Sequence, residues 1–186
     1  MGNTTVYLLP EGQSIEPKLY GARVKAVLLK MGVIGKERYD DERNWYVAGP
    51  SSNAPFKEAD PDDVGFEYCI ITASPNVEVV PQDPAVEPHC ANCGTKLSGL
   101  YYDLINEIEM NYQGWKKAQK YIDARITCPN CARAWALPDL KDDIGVFLSG
   151  TWVNFEDIQS ELLPAWLTAF NEQTGWQHRA LTYWYT

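Results

Sequence analysis

From Thr4 to Leu9 the chain reads Thr-Thr-Val-Tyr-Leu-Leu, a run of β-branched, aromatic and apolar residues that Pro10 and Gly12 stop, and it predicts a first strand. Helical spacing follows, with Tyr20, Val24, Val27, Leu28 and Met31 on one stripe, Ser14 as an N-cap, Pro17 in the first turn and Gly32 as the stop. Trp45 to Val47 predicts a second strand and Phe66 to Thr72 a third. Between them a loop from about Gly49 to Gly65 holds Pro50, Pro55 and Pro61. A further short strand is expected at Val77 to Val80. The longest apolar periodicity runs through Leu97, Leu100, Tyr101, Leu104, Ile105, Ile108, Tyr112, Trp115 and Ile122, a helix with Gly114 as the place for a bend. The end of the chain reads strand, helix, strand: Gly145 to Val153, a helix within about Ser160 to Thr174 capped by Ser160 with Pro164 in its first turn and Gly175 as its stop, then His178 to Tyr185.

These elements define an α+β fold with strand-helix-strand units at both ends. Residues 1–80 form an N-terminal α+β part, 81–140 an inserted module around the central helix, and 141–186 a C-terminal unit expected to pack with 1–80 as one domain. The Pro81 to Pro88 stretch, with three prolines, reads as an extended connector into that module. The shared order at the two ends shows no residue-by-residue duplication.

Chemistry concentrates in the inserted module. Cys90-Ala-Asn-Cys93-Gly94 and Cys128-Pro-Asn-Cys131 are two C-x2-C pairs, and two intervening residues let both sulfurs of a pair face one ion, so the two pairs make a four-cysteine metal site. Gly94 suits the tight turn of such a knuckle because glycine takes positive φ at little cost. Around these knuckles the chain resembles the zinc-ribbon and treble-clef group of zinc folds, whose knuckles often read Cys-Pro-x-Cys-Gly. The resemblance implies ligation of one structural zinc ion per chain by Cys90, Cys93, Cys128 and Cys131 and carries no activity with it. The chain departs from that pattern at Ala132, where glycine is common, and in the 34 residues from Gly94 to Thr127, a length that the central helix accounts for. A thiol-disulfide reading of Cys128-Pro129-Asn130-Cys131 competes. It needs the first cysteine at a helix N-terminus, whereas Ala132 to Pro138 reads as a short strand. His89, adjacent to Cys90, is expected to be a neighbour of the metal, and Cys69, in the apolar strand Tyr68 to Ile71, a buried inert thiol.

With 25 acidic against 16 basic residues, the formal charge is −9. Phosphate neutralisation is therefore disfavoured as a role, and a basic protein is the expected partner. The acidic cluster Glu58, Asp60, Asp62 and Asp63 fails as a calcium loop, because a loop beginning at Asp60 would place Val64 and Ile71 at ligand positions. Met1 to Val6 has no basic, apolar leader and no window is long and apolar enough to span a membrane, so a cytoplasmic location is expected. Only His89 and His178 offer an imidazole base, with no nucleophile elbow, P-loop or dinucleotide fingerprint to accompany them. No catalytic residue is therefore assigned. The expected function is a non-catalytic, zinc-binding interaction protein of inhibitor, immunity or adaptor type. An enzyme of unrecognised class and a nucleic-acid-binding zinc ribbon are the alternatives. The C-terminal aromatics Trp176, Tyr183, Trp184 and Tyr185 provide a candidate interface.

Overall fold

Two of the three helices described begin at a proline, and each does so for a local reason. Pro17 and Pro164 sit in the first turn, where a missing N–H leaves nothing unsatisfied. Glu16 caps the first helix, its carboxylate accepting from the backbone N–H groups of Lys18 and Leu19 at 3.1 and 2.7 Å. Ser14, the expected cap, lies outside the described residues, and the other expected cap, Ser160, is replaced by Leu163, which makes no side-chain cap. Gly175 ends the last helix at φ 79° and Gly32 follows the first at φ 71°, both left-handed positions that glycine fills without strain.

The computed structural model describes residues 3–11, 15–39, 44–57, 65–80, 87–111, 124–136, 147–158 and 160–185. Their elements run β1 (Asn3–Pro10), α1 (Pro17–Lys30), β2 (Ile34–Tyr39), β3 (Asn44–Ala48), β4 (Tyr68–Val80), α2 (Ser98–Asn111), β5 (Arg125–Thr127), β6 (Ala134–Ala136), β7 (Phe147–Glu156), α3 (Pro164–Thr174) and β8 (His178–Tyr185). The fold is α+β, with strand-helix-strand units at both ends and the knuckle module between them. The chain divides into two compact units, one of residues 1–73 and 151–186 and the other of residues 74–150. It leaves the first unit along β4 and returns to it along β7.

Six strands form one sheet in the order β2-β3-β4-β7-β1-β8. Both β7 and β8 run antiparallel to β1, so they are parallel to each other, and α3 is the crossover between two parallel strands that have β1 between them. As an inner strand β1 is buried on both faces, Val6 and Leu8 on one and Tyr7 and Leu9 on the other. The main core of the first unit collects Val6, Leu8, Val153 and Phe155 from the sheet with Tyr20, Val24 and Leu28 of α1 and Trp166 and Phe170 of α3. Phe155 is its centre, with the rings of Phe56, Phe66 and Trp166 at 5.8, 5.0 and 6.2 Å.

Two sequence expectations differ from this sheet. The strands expected at 66–72 and 77–80 are one continuous strand, β4, which runs through Pro75. β2 was not legible: its sequence Ile-Gly-Lys-Glu-Arg-Tyr has one buried apolar anchor, Ile34, and is exposed from Lys36 to Tyr39. Charged residues suit an edge strand, and they erase the alternation that identifies inner ones.

His178 opens β8 from inside the aromatic core and is 4% exposed. Its ring lies 4.9 Å from that of Phe170 and 5.9 Å from that of Tyr20, and its Nδ1 is 2.8 Å from Asn171 Oδ1, which also accepts from the His178 backbone N–H at 3.1 Å. The amide oxygen can only accept, so Nδ1 carries the proton and Nε2 is left as a buried acceptor without a partner among the described residues. Burial pushes the His178 pKa down from 6.5 to about 4. The unfolded chain therefore binds more protons than the folded one between those values. Stability from this residue is complete above about pH 6.5 and is lost, by about 3 kcal/mol, as pH falls to about 4. An NMR titration should show the His178 ring neutral down to about pH 4, whereas a midpoint near 6.5 would contradict the buried geometry.

Candidate metal centre

The two cysteine pairs fold into the same local structure. In the first, the Cys90 N–H donates to Thr95 O at 2.9 Å and the Gly94 N–H to Cys90 O at 2.8 Å. In the second, the Cys128 N–H donates to Arg133 O at 2.8 Å and the Ala132 N–H to Cys128 O at 2.9 Å. Both turns need a left-handed residue just after the second cysteine. Gly94 supplies it at φ 72°, and Ala132 adopts φ 60° despite its Cβ. The knuckles differ in what carries them. The first is flanked by the bridge between His89 and Lys96 and leads into α2, while the second is the tip of the β5–β6 hairpin, paired from Arg125 opposite Ala136 to Thr127 opposite Ala134.

All four sulfurs lie within 4.8 Å of one another. Two approaches run between knuckles, Cys90 to Cys131 and Cys93 to Cys128, each 3.6 Å. A disulfide needs about 2.05 Å, and all four cysteines are free thiols. Backbone amides converge on the sulfurs in matching fashion, from Thr95 to Cys93 and from Arg133 to Cys131. The two Asn side chains reach across, Asn130 to the Cys93 sulfur and Asn92 to that of Cys131. The Thr95 hydroxyl, 3.1 Å from Cys93 Sγ, and then the Thr95 amide lower the Cys93 thiol to about 6. Donors grouped around sulfur favour the thiolate, the form that binds metal, at Cys93 and Cys90, whereas at Cys131, despite the Arg133 amide, burial and the neighbouring thiols of Cys90 and Cys128 leave the thiol raised. The arrangement is thus competent to hold one metal ion, with Cys90 and Cys128 buried, Cys131 half-buried and Cys93 exposed.

The other residues singled out from the sequence fall away from this group. His89 is half-buried beside Cys90 and is not among the clustered ligands, and His178 is enclosed in the core of the first unit. Cys69 is fully buried, and burial raises its thiol well above the usual range, as its apolar strand implied. Glu58, Asp60, Asp62 and Asp63 lie outside the described residues, as do the side chains of Trp184 and Tyr185. Sequence reasoning did not assign Asn92, Asn130 or Thr95. The signal for the first two was present, since both knuckles read Cys-x-Asn-Cys.

Compared with known proteins, the chain matches no family model, no curated protein and no solved structure. The knuckle turns themselves lead to a test. A Cβ added at Gly94 would meet nothing within 4 Å, so Gly94→Ala should cost only the left-handed backbone penalty, about 1 kcal/mol. Ala132→Gly should cause no loss, because relief of the same penalty offsets the added freedom of the unfolded chain. Chemical denaturation of both variants measures this, and a destabilised Ala132→Gly protein would contradict the matched turns.

Proposed function

We propose that Cys90, Cys93, Cys128 and Cys131 hold one structural zinc ion and that the protein is a non-catalytic interaction protein of inhibitor, immunity or adaptor type. The observation that carries the metal reading is the sulfur spacing. With Zn–S bonds of about 2.3 Å, the edges of a tetrahedral site are about 3.8 Å, close to the two 3.6 Å approaches between knuckles. An all-sulfur donor set suits zinc, and four thiolates leave no open coordination position, so the bound ion would cross-link backbone without activating water. A thiol-disulfide site would want Cys128 at a helix N-terminus, and here a turn and β6 follow it.

The interaction reading rests on chemistry outside the knuckles. His178, one of the two candidate imidazole bases, sits inside an aromatic core with its ring packed against Phe170. A charge of −9 favours encounter with a basic partner and disfavours nucleic acid. No helix of the described residues is long and apolar enough to cross a membrane.

Elemental analysis of protein purified without added metal should find one zinc per chain, and a strong chelator should remove it with a fall in melting temperature. Cys128→Ser should lose the metal and melt earlier, whereas Cys69→Ser should keep it. Substoichiometric zinc in a folded sample would remove the metal reading. Retention on a heparin column at physiological salt would replace the interaction reading with nucleic-acid binding.

A further inference from the structure

Along α1 the buried residues Pro17, Tyr20, Val24, Val27 and Leu28 occupy one face. The opposite face is also apolar. Leu19, Ala22, Ala26 and Leu29 follow the 3-4-3 spacing of a helix-pairing seam, and all four are exposed, Leu19 by 57% and Leu29 by 46%. The charges on this helix are equally ordered. Lys18, Arg23, Lys25 and Lys30 are its only ionisable side chains besides Tyr20, all are basic, and they fall at the positions that flank the seam, Lys18 and Lys25 on one side and Arg23 and Lys30 on the other. A chain of charge −9 thus presents a helix with no acidic residue.

The flanks are partly held within the first unit. Arg23 donates through Nε and Nη2 to the carbonyls of Thr174 and Gln173, at 2.5 and 3.3 Å, which caps the C-terminal end of α3. Lys25 pairs with Glu37 at 2.6 Å and lies 5.2 Å from the centre of the Tyr46 ring. Lys18 and Lys30 bracket the seam at its two ends, with Leu19 and Leu29 about 15 Å apart along the axis.

We infer that the outer face of α1 docks an acidic amphipathic helix of a partner protein, with its apolar stripe on Leu19, Ala22, Ala26 and Leu29 and its carboxylates against Lys18 and Lys30. Flanking charge selects that occupant over two others. A second copy of this chain would set basic flank against basic flank. An anionic membrane surface calls for a broader apolar face with Trp or Phe, whereas here two leucines are separated by alanines that let another backbone approach closely. The overall negative charge opposes an acidic partner only at long range, and contact pairs at the seam lie within the ~8 Å over which charges act in physiological salt. This rests on the interaction reading above, narrowing the partner to one that presents an acidic helix whatever its net charge, and is independent of the metal.

The test uses the full-length protein and two synthetic helical peptides with leucine at their seam positions, one with glutamate on both flanks and one with lysine. The glutamate peptide should bind, more weakly as salt rises, and the lysine peptide should not. Lys18→Glu/Lys30→Glu should weaken the glutamate peptide at least about tenfold and admit the lysine peptide. Leu19→Ser/Leu29→Ser should lose binding with the melting temperature unchanged, because both leucines are exposed. Equal binding of the two peptides, binding of neither, self-association by sedimentation, or stronger attachment to phosphatidylserine vesicles would each overturn the inference. A cellular partner retained equally by parent and both variants would overturn it while leaving the interaction reading in place.

Discussion

Antiparallel pairing of β1 with β8, from Asn3 opposite Tyr185 to Pro10 opposite His178, joins the two ends of the described chain, and the first unit cannot close its core without it. β1 stands between β7 and β8, so Val6, Tyr7 and Leu8 pair on both edges, and Thr4 to Leu9 are buried on both faces. α3 crosses over this strand and brings Trp166, with Phe170 stacked on it, onto Phe155, while Arg23 of α1 meets the last carbonyls of α3. β1 and β8 are joined across more than 150 residues of chain, a non-local topology associated with slow folding.

Residues 74–150 solve a different problem. Their described elements include a 14-residue helix and a hairpin of two three-residue strands, with Leu97, Tyr101, Ile105 and Ile126 as buried apolar residues. A hairpin so short is marginal in water. Four sulfurs drawn together by two matched turns would add a cross-link to that burial once a metal neutralises their mutual repulsion. At Cys93 the Thr95 hydroxyl and amide, with the side chain of Asn130, lower the cost of the thiolate.

Charge is distributed with the same economy. Acidic residues dominate the composition, yet α1 carries only basic ones, two of them engaged in holding α3 and β2. One helix therefore serves the core through its inner stripe, neighbouring elements through Arg23 and Lys25, and a prospective partner through Leu19 and Leu29.

The sequence by itself determined the α+β class, the main helices, most strands and the four cysteines, because each of these is a local property: a period of 2 or 3.6, a proline at a first turn, a glycine at a stop, two residues between thiols. It also identified Cys69 as buried, since an apolar run on both sides leaves little else. Tertiary structure decided what depends on partners distant in the chain. The order of the six strands, the central place of β1 and the edge position of the aromatic β8 follow from pairings that no local pattern encodes. β2 became a strand because β3 offered it an edge, not because Ile-Gly-Lys-Glu-Arg-Tyr prefers one. His178 looked like a candidate base until Phe170, Tyr20 and Asn171, from two helices, enclosed it. Leu19 and Leu29 lie off the stripe that the periodicity marks, and the packing of α1, which buries that stripe, leaves them exposed.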